Sequence, residues 1–315
     1  MRLLIVTPAA RHSRRGNRVT AVRWAGLLRQ LGHRVEVAES FAGQRADVLI
    51  ALHARKSAKS VRDFRAVSRD APILLTLTGT DLYAGLQRSK AALNSLRLAD
   101  RLIVLQADAV NHLPKLQRGK ACVIVQSCES PRTRPAPLTS AFEVCVSGHL
   151  RAVKDPFRTE MASRLLPSDS RIRVTHLGAA MTETMRRSAE ARMRTNPRYR
   201  WLGEQPRWKA RRMLARSRLV VLSSKLEGGA NVVSEAVAAE VPLLVSEVSG
   251  NIGLLGDDYA GCFPVGDTAA LSRLLLRAET DSRYYRKLTS QIRRLRPMVR
   301  PDRERAAWAD LLSEL

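Results

Sequence analysis

The stretch LVVLSSKLEGGANVVSEAVAAE, residues 219–240, joins one aliphatic run to a second apolar run through a pair of glycines. Residues 219–222 are consecutive aliphatic side chains, which is typical of a strand buried on both faces. Residues 232–239 continue as an apolar helix. A strand that passes through glycines into a helix indicates a parallel α/β sheet, in which ligands bind beyond the carboxyl ends of the strands.

The same alternation of short apolar runs and longer amphipathic runs extends over the whole chain. The predicted strands are residues 3–6, 35–38, 48–52, 73–77, 101–105, 123–125, 143–146, 171–176, 199–202, 219–222, 243–246 and 261–263. The predicted helices include residues 19–31, 59–69, 86–98, 232–239 and 268–277. This pattern predicts the α/β class, with two Rossmann-like parallel-sheet domains that face a cleft.

A polar stretch with three prolines, residues 127–140, separates the two sets of strands and is typical of a linker. We therefore expect an N-terminal domain over residues 1–139 and a C-terminal domain over residues 140–297. The tail, residues 283–315, has a helical pattern broken at Pro297 and Pro301. Its last part, about residues 298–315, is expected to return to the N-terminal domain.

The chain has 315 residues, 54 lysines and arginines, and a formal net charge of +25, which favours anionic partners. Its four cysteines form no Cys-x-x-Cys pair, and a reducing cytoplasm is the simplest setting. The apolar run at the amino terminus is too short for a signal peptide, and no run reaches the length of a membrane span. We expect a cytoplasmic protein without integral membrane contact.

The glycine pair lies between two glutamates that suit a hydroxylated, phosphorylated ligand. Gly228 and Gly229 allow the backbone to approach a ligand closely, and the following helix start favours phosphate. Glu227 and Glu235 can each accept two hydroxyl hydrogen bonds. A ligand with phosphate in the middle and hydroxyls at both ends, such as a nucleotide sugar, fits this pattern; a turn with acidic residues at a helix start is the alternative.

Three further predicted strand ends carry candidate ligand residues. In VSGHLRAVKDPF, residues 146–157, Arg151 and Lys154 combine a guanidinium and an ammonium suited to a diphosphate. His53 and Lys56 follow the third predicted strand, and Thr78, Gly79 and Asp81 follow the fourth. Asp81 is either a helix cap or a partner that orients His53. For each of these residues, a purely structural role is the alternative.

The loop after the first predicted strand is strongly basic. Gly16 allows a tight turn and Asn17 is a candidate helix cap. A helix start ringed by arginines is a candidate anion site, although surface charge alone accounts for some of them. The basic residues here are Arg11, His12, Arg14, Arg15 and Arg18.

Several cofactor motifs are absent from the sequence. No Gly-x-Gly-x-x-Gly follows a predicted strand, and no P-loop sequence occurs. No Asp-x-Asp pair is suited to a metal on a diphosphate, and no His/Cys cluster has zinc spacing. We expect no cofactor and no metal.

LEGGANVVSEA, residues 226–236, resembles the donor-site signature of retaining glycosyltransferase family 4, which has the GT-B fold. SGHLRAVKDP, residues 147–156, resembles the diphosphate-binding loop of that family. Together with NRVTAVRWAGLLRQLGHRV at residues 17–35 and LTGTDLY at residues 77–83, these motifs resemble the selenosugar synthases of selenoneine biosynthesis. The family often has a glycine before the proline of the next strand, where Glu240-Val241-Pro242 stands here.

The resemblance implies a UDP-sugar donor, UDP-N-acetylglucosamine or UDP-glucose, and selenophosphate as acceptor, both as substrates. It implies transfer with retention and without metal, with Arg151, Lys154 and Glu227 as catalytic residues. Glu235 would hold the ribose, Glu227 the hexose, and Leu202 and Gly203 the uracil. The other implied donor-binding residues are Gly148, Gly228, Gly229, Ala230, Asn231 and Val232. The family's usual acceptor-side histidine has no clean match here, and His53 is the candidate for it. The acceptor-binding residues expected from the basic loop, the first helix and the strand ends are Arg15, Gly16, Asn17, Arg18, Thr20, His53, Lys56, Thr78, Gly79 and Asp81.

Two other functions are compatible with the sequence. A glycosyltransferase with a lipid-linked or cell-envelope acceptor would use the basic surface to dock on anionic lipid. A nucleic-acid-binding protein would also be basic, but it calls for aromatic platforms beside its arginines. Aromatic residues make up only 4% of this chain, which disfavours the nucleic-acid function.

Overall fold

The computed structural model describes residues 1–13, 16–133 and 135–315. Two compact units make up the chain. The first contains Met1–Ser127, Glu227–Asn231 and Arg300–Leu315, and the second contains Cys128–Leu226 and Val232–Val299. In the described ranges no helix is both long and apolar enough to cross a membrane.

The first unit is built on a six-stranded sheet in the order β2-β1-β3-β4-β5-β6, and every pair of neighbours is parallel. Its strands are β1 Arg2–Val6, β2 Arg34–Ala38, β3 Val48–Leu52, β4 Ile73–Thr76, β5 Arg101–Val104 and β6 Ala121–Val123. Its helices are α1 Gly16–Gln30, α2 Ala58–Val67, α3 Thr80–Tyr83, α4 Lys90–Leu98 and, at the carboxyl terminus, α12 Pro301–Ser313.

Strand β3 and residues 3–6 of β1 are apolar at every position and buried, because both faces of the sheet are covered there. Leu4 and Val6 belong to the core on one face, whereas Leu3 and Ile5 belong to the core on the other. Helix α12 completes this second core with Trp308, which meets Trp24 of α1 edge to face at 4.9 Å between ring centroids. The expected return of the carboxyl-terminal helix to the N-terminal part of the chain is confirmed.

The second unit is built on a parallel sheet in the order β12-β11-β10-β7-β8-β9. Its strands are β7 Phe142–Ser147, β8 Ile172–Leu177, β9 Tyr199–Trp201, β10 Leu219–Leu222, β11 Leu243–Ser246 and β12 Cys262–Phe263. Its helices are α5 Arg158–Ser163, α6 Glu183–Thr195, α7 Arg207–Arg216, α8 Asn231–Ala238, α9 Ser249–Leu255, α10 Thr268–Thr280 and α11 Ser282–Leu295. Two parallel sheets with helices confirm the predicted α/β class.

Two local predictions differ from the structure, whereas the predicted break at Pro301 is present. The helix predicted over residues 86–98 is interrupted, because the Ser89 hydroxyl accepts a hydrogen bond from the Ala92 amide at 3.2 Å and caps a new helix. Asn17 lies inside helix α1, Gly16–Gln30, instead of capping it. The 3-10 turn Arg296–Val299 ends before Pro301, and Pro301 opens α12, where its missing N–H costs nothing in the first turn.

Candidate active site

At the carboxyl edge of the second sheet, the loops after β7 and β10 lie side by side because these strands are neighbours. The Lys225 amide donates to the Val153 carbonyl at 2.8 Å, and the Ser223 hydroxyl donates to the Asp155 carbonyl at 2.9 Å. The strand order therefore brings the Arg151–Lys154 loop next to the strand that leads into the glutamate motif.

Arg151 and Lys154 frame a single 3-10 turn, Ala152–Lys154, directly before helix α5. Arg151 is exposed, whereas Lys154 is half-buried. Asp155 follows in the left-handed conformation with φ 43°, and its carboxylate accepts a hydrogen bond from Arg158 at 2.8 Å. This sharp bend, rather than the start of α5 itself, determines the position of the two basic side chains.

The loops after β7 and β8 touch through their glycines. A Cβ atom at Gly178 would lie 2.1 Å from the Gly148 carbonyl oxygen, so position 178 requires glycine. The Nε2 of His176 lies 3.1 Å from the same oxygen, and its Nδ1 lies 3.0 Å from the Tyr199 hydroxyl. Since a carbonyl can only accept, Nε2 carries the proton and Nδ1 accepts from Tyr199. Burial lowers the pKa of His176 to about 4.

The predicted uracil contacts, Leu202 and Gly203, follow β9 at the same edge. The Leu202 amide donates to the His176 carbonyl at 2.9 Å, and its carbonyl accepts from the Gln205 side chain at 2.5 Å. The Gly203 carbonyl accepts from the Gly178 amide at 2.8 Å, and Gly203 has a φ of 65°. These bonds fix the backbone of the turn.

Glu235 is half-buried in helix α8, and Val232 is buried in the same helix. Cys145 of β7 is buried, and its pKa is raised to about 12, first by burial and then by the charges of Glu143 and Glu235. Burial also raises the pKa of Cys262 to about 11. Both thiols therefore stay protonated at neutral pH.

The segment Glu227–Asn231 belongs to the first unit, at the carboxyl edge of its sheet. Glu227, Gly228 and Ala230 are buried there. A Cβ atom at Gly228 would lie 2.6 Å from the Gly79 nitrogen and 2.6 Å from the Thr78 oxygen. The first glycine of the motif is therefore packed directly against the loop after β4.

Gly229 is held by the ends of the next two strands. Its φ is 157°, and a Cβ atom would lie 2.6 Å from the Cβ of Leu105, just after β5. Its carbonyl accepts a hydrogen bond at 2.8 Å from the side chain of Gln126, which follows β6. Asn231 accepts a hydrogen bond from Arg23 of helix α1 at 2.7 Å.

The predicted acceptor residues after β3 and β4 are tied together by Asp81. Its buried carboxylate accepts from the Thr78 and Gly79 amides at 2.9 and 3.0 Å and from the Ala54 amide at 2.9 Å. Asp81 thus fastens two loops to each other, and it also lies 3.7 Å from His53 Nδ1.

His53 is buried and has a φ of 77°, a left-handed conformation that is rare outside glycine. Burial lowers its pKa below the usual value, although the Asp81 charge acts in the opposite direction. Its Nε2 lies 3.4 Å from the Thr80 hydroxyl, and Lys56 nearby is exposed. Backbone strain of this kind is concentrated at functional sites.

The basic loop after β1 is described in part. Arg15 lies outside the described residues, as does Arg14. Gly16 is exposed, and Asn17 and Arg18 are half-exposed. Thr20 is buried and donates to the Gln126 side chain at 2.8 Å, so its hydroxyl faces the protein interior.

Three further residues lie beside this edge and were not predicted from the sequence: Arg23, Gln126 and Glu304. They are far apart in sequence, and the structure joins them by hydrogen bonds of 2.7 Å between Arg23 and Gln126 and 3.1 Å between Arg23 and Glu304. An arginine and a glutamate within amphipathic helices carry no local signal of burial. Among the described residues, no three His, Cys, Asp or Glu side chains are grouped as a metal site would require.

Residues 132–295 match the family of glycosyl transferases group 1, and this match covers slightly more than half of the chain. The chain belongs to this family. The prediction that it is a glycosyltransferase is thereby confirmed. No curated protein matches the sequence.

Solved structures of glycosyltransferases share the fold over the full length. Anabaena HepE, solved with UDP-glucose, is 16% identical with a TM-score of 0.78, and the match covers 100% of both chains. Sucrose-phosphate synthase from Thermosynechococcus elongatus is 14% identical with a TM-score of 0.81, covering 99% of this chain and 98% of that one. A glycosyltransferase from Rickettsia africae is 12% identical with a TM-score of 0.73, at the same coverage. At these identities the likeness concerns the fold, and it confirms the predicted GT-B architecture.

Proposed function

We propose that the protein is a retaining selenosugar synthase. It transfers the sugar of a UDP-sugar, UDP-N-acetylglucosamine or UDP-glucose, to selenophosphate and releases UDP. The observation that carries the proposal is the pairing of the Arg151–Lys154 loop with the strand that leads into the Glu227–Glu235 motif, through the 2.8 Å bond between Lys225 and Val153. Basic side chains beside a motif rich in carboxylates and glycines suit a diphosphate flanked by hydroxyl groups.

The donor assignment is supported by both halves of the motif. Glu235, half-buried in α8, would accept the ribose hydroxyls, and Glu227 would accept hexose hydroxyls. The backbone turn at Leu202 and Gly203 would meet the uracil. HepE, which has the same fold, was solved with UDP-glucose, and this supports a UDP-sugar as the donor here.

Transfer requires stabilisation of the leaving group more than it requires a protein nucleophile. As the bond between the anomeric carbon and the diphosphate oxygen breaks, UDP leaves with the electron pair and negative charge accumulates on its phosphates. Arg151 and Lys154 would neutralise that charge without a metal. The thiols of Cys145 and Cys262 stay protonated at neutral pH, which disfavours a covalent intermediate on either cysteine.

The acceptor assignment rests on the basic loop after β1 and on the resemblance to selenosugar synthases. Selenophosphate is a small anion, and Arg11, His12 and Lys56 are exposed at this edge of the first sheet. A selenium lone pair would attack the anomeric carbon on the face that UDP leaves, giving a sugar joined through selenium to the phosphoryl group. Hydrolysis of the selenium–phosphorus bond by water would then give the selenosugar and phosphate.

The test is mass spectrometry of the purified protein with UDP-N-acetylglucosamine or UDP-glucose, with and without selenophosphate, in the presence of EDTA. We expect UDP and a selenium-bearing sugar only when both substrates are present, and neither product with Lys154→Ala. Binding of the UDP-sugar without a selenosugar would refute the selenium acceptor and direct the search to lipid-linked acceptors. Absence of UDP-sugar binding would refute the donor assignment as well.

A further inference from the structure

A buried polar cluster in the first unit, formed by Thr20, Arg23, Gln126, Asn231 and Glu304, reaches from the carboxyl-terminal helix to the glycine motif. Only 11% of the Arg23 side chain and none of the Glu304 side chain is exposed. A buried arginine needs acceptors for all its N–H groups, and here they come from three different parts of the chain. We name these five residues the Arg23 cluster.

Glu304 fixes the base of the cluster. Its carboxylate accepts from Arg23 Nε at 3.1 Å, from the Trp24 indole at 2.6 Å, and from the Ser127 amide at 2.9 Å and the Ser127 hydroxyl. These donors come from helix α1 and from the chain after β6. These donors fix the position of the Glu304 carboxylate, and the carboxylate in turn fixes the Nε side of the Arg23 guanidinium.

The other end of the guanidinium sets the orientation of the Asn231 amide. Arg23 Nη1 lies 2.7 Å from Asn231 Oδ1. An arginine has no acceptor, so the atom facing it must be the oxygen, and the amide nitrogen must point away. That nitrogen lies 3.9 Å from where a Cβ atom of Gly16 would be, at the first residue of helix α1.

Gln126 holds the same segment at a second point. Its Oε1 accepts from Arg23 Nη2 at 2.7 Å and from the Thr20 hydroxyl at 2.8 Å. With its oxygen so occupied, the Gln126 amide nitrogen donates to the Gly229 carbonyl at 2.8 Å. Arg23 thus determines the orientation of two amide side chains, and both act on the segment Glu227–Asn231.

We propose that Arg23 is a positioning residue for glycosyl transfer, which turns the Asn231 amide nitrogen toward the start of α1 as a hydrogen-bond donor to the anionic acceptor. This inference rests on the proposed function, because it takes the loop at Gly16 as the acceptor side. It assigns Asn231 to the acceptor rather than to the nucleotide. The prediction that distinguishes this role is a change in the KM of the acceptor without a change in the Kd of UDP.

The first test replaces Asn231 with aspartate. Asn231→Asp keeps an oxygen for Arg23 but offers a second oxygen, and a negative charge, where the amide N–H groups were. We expect the selenophosphate KM to rise at least tenfold while the UDP Kd, measured by calorimetry, stays within twofold of the wild type. An unchanged selenophosphate KM, or a loss confined to UDP binding, would overturn the proposal.

The second test removes the arginine in a way that spares the fold. Arg23→Met alone leaves Glu304 charged without its ion-pair partner, so the variant is Arg23→Met with Glu304→Gln. Its single amide oxygen replaces two carboxylate oxygens that accept separately from Trp24 and from Ser127, so retention of the fold is checked by circular dichroism. We expect the selenophosphate KM of this double variant to rise about as much as that of Asn231→Ala. When Asn231→Ala is added to the double variant, the selenophosphate KM should rise by no more than a further twofold. Multiplicative losses would show that Arg23 acts independently of Asn231 and would contradict the proposal. Arg69→Met, an exposed arginine of the same unit, is the control and should match the wild type.

A third readout does not depend on activity. Hydrogen–deuterium exchange of a peptide covering residues 226–232 should be at least tenfold faster in the Arg23→Met/Glu304→Gln variant, and unchanged in a peptide covering β10. Equal exchange in variant and wild type would overturn the positioning role even if the wild type transferred no sugar to selenophosphate. Loss of transfer in the wild type with faster exchange in the variant would refute the proposed acceptor but leave the positioning of the segment established.

Discussion

Gly228 and Gly79 lie backbone to backbone: a Cβ atom on Gly228 would be 2.6 Å from the Gly79 nitrogen, and one on Gly79 would be 2.7 Å from the Gly228 nitrogen. Neither distance is compatible with a side chain. The segment with Gly228 thus packs against the loop after β4. Its position depends on two glycines that are almost 150 residues apart in sequence.

Gly228→Ala should displace the segment that carries Glu227 and lower kcat/KM for sugar transfer about 10²-fold, because a shift of about 1 Å at a reacting centre has an effect of that size. The measurement is steady-state UDP release. Gly119→Ala is the matched control, since a Cβ atom there would meet no neighbour within 4 Å. Wild-type kinetics in Gly228→Ala would show that the contact with Gly79 does not position the site.

Lys154→Met should lower kcat about 10²–10³-fold, because it removes one cation that stabilises the departing diphosphate. Glu227→Ala should abolish turnover while the fold survives, as checked by circular dichroism. Lys209→Met, an exposed lysine on helix α7 in the same unit as Lys154, should leave the rate unchanged. Near-normal turnover in Lys154→Met or in Glu227→Ala would show that the substituted residue does not act on the sugar donor.

Arg18→Ala should raise the KM of selenophosphate about 10–100-fold, the loss expected for one charge-assisted hydrogen bond, and should change the UDP-sugar KM much less. Arg15→Ala should act in the same direction. Initial rates with each substrate varied in turn separate the two constants. Equal rises of both KM values would mean that the loop after β1 does not bind the acceptor.

His176→Gln should reduce the acid sensitivity of the fold. The pKa of His176 is about 4 in the folded protein, against 6.5 when exposed, so the unfolded chain binds the extra proton between these values. Stability is therefore lost as the pH falls from about 6.5 to about 4, by about 2 kcal/mol between pH 7 and pH 5. Urea unfolding at the two pH values should show a smaller difference in the variant.

The control for this experiment is His112→Gln, because His112 is exposed. It should retain the full difference between pH 7 and pH 5. His53 is also buried with a lowered pKa, so a residual slope is expected to remain in His176→Gln. An unchanged slope in His176→Gln would show that this histidine is not the main acid-sensitive group.

The sheets could be predicted from the sequence because strands covered on both faces are short, uninterrupted apolar runs. All twelve predicted strands overlap observed ones, and β3, β10 and β11 have the predicted ends. Helix ends were harder to predict, since they depend on single capping bonds such as that of Ser89. Glu240, two residues before Pro242, has a φ of 53°, a left-handed conformation that favours glycine.

The candidate site was predictable only where its residues are close in sequence. The motif from Glu227 to Glu235 and the pair Arg151 and Lys154 are recognisable locally. The bonds of Arg23 to Asn231 and Glu304 join positions more than 200 residues apart, and no periodicity predicts them. The contact between Gly228 and Gly79 is equally non-local. The sequence shows both glycines, but it does not show that they are in contact.

Glu304 and Trp308 have a consequence for biosynthesis. Both are synthesised at least 280 residues after Trp24, yet Trp24 packs against Trp308 and donates to Glu304. A domain usually folds as soon as it leaves the exit tunnel, amino-terminal part first. Here the first unit cannot complete its core until helix α12 has been synthesised, so a nascent chain stalled or truncated before α12 would expose the apolar surface around Trp24 and become a client of chaperones.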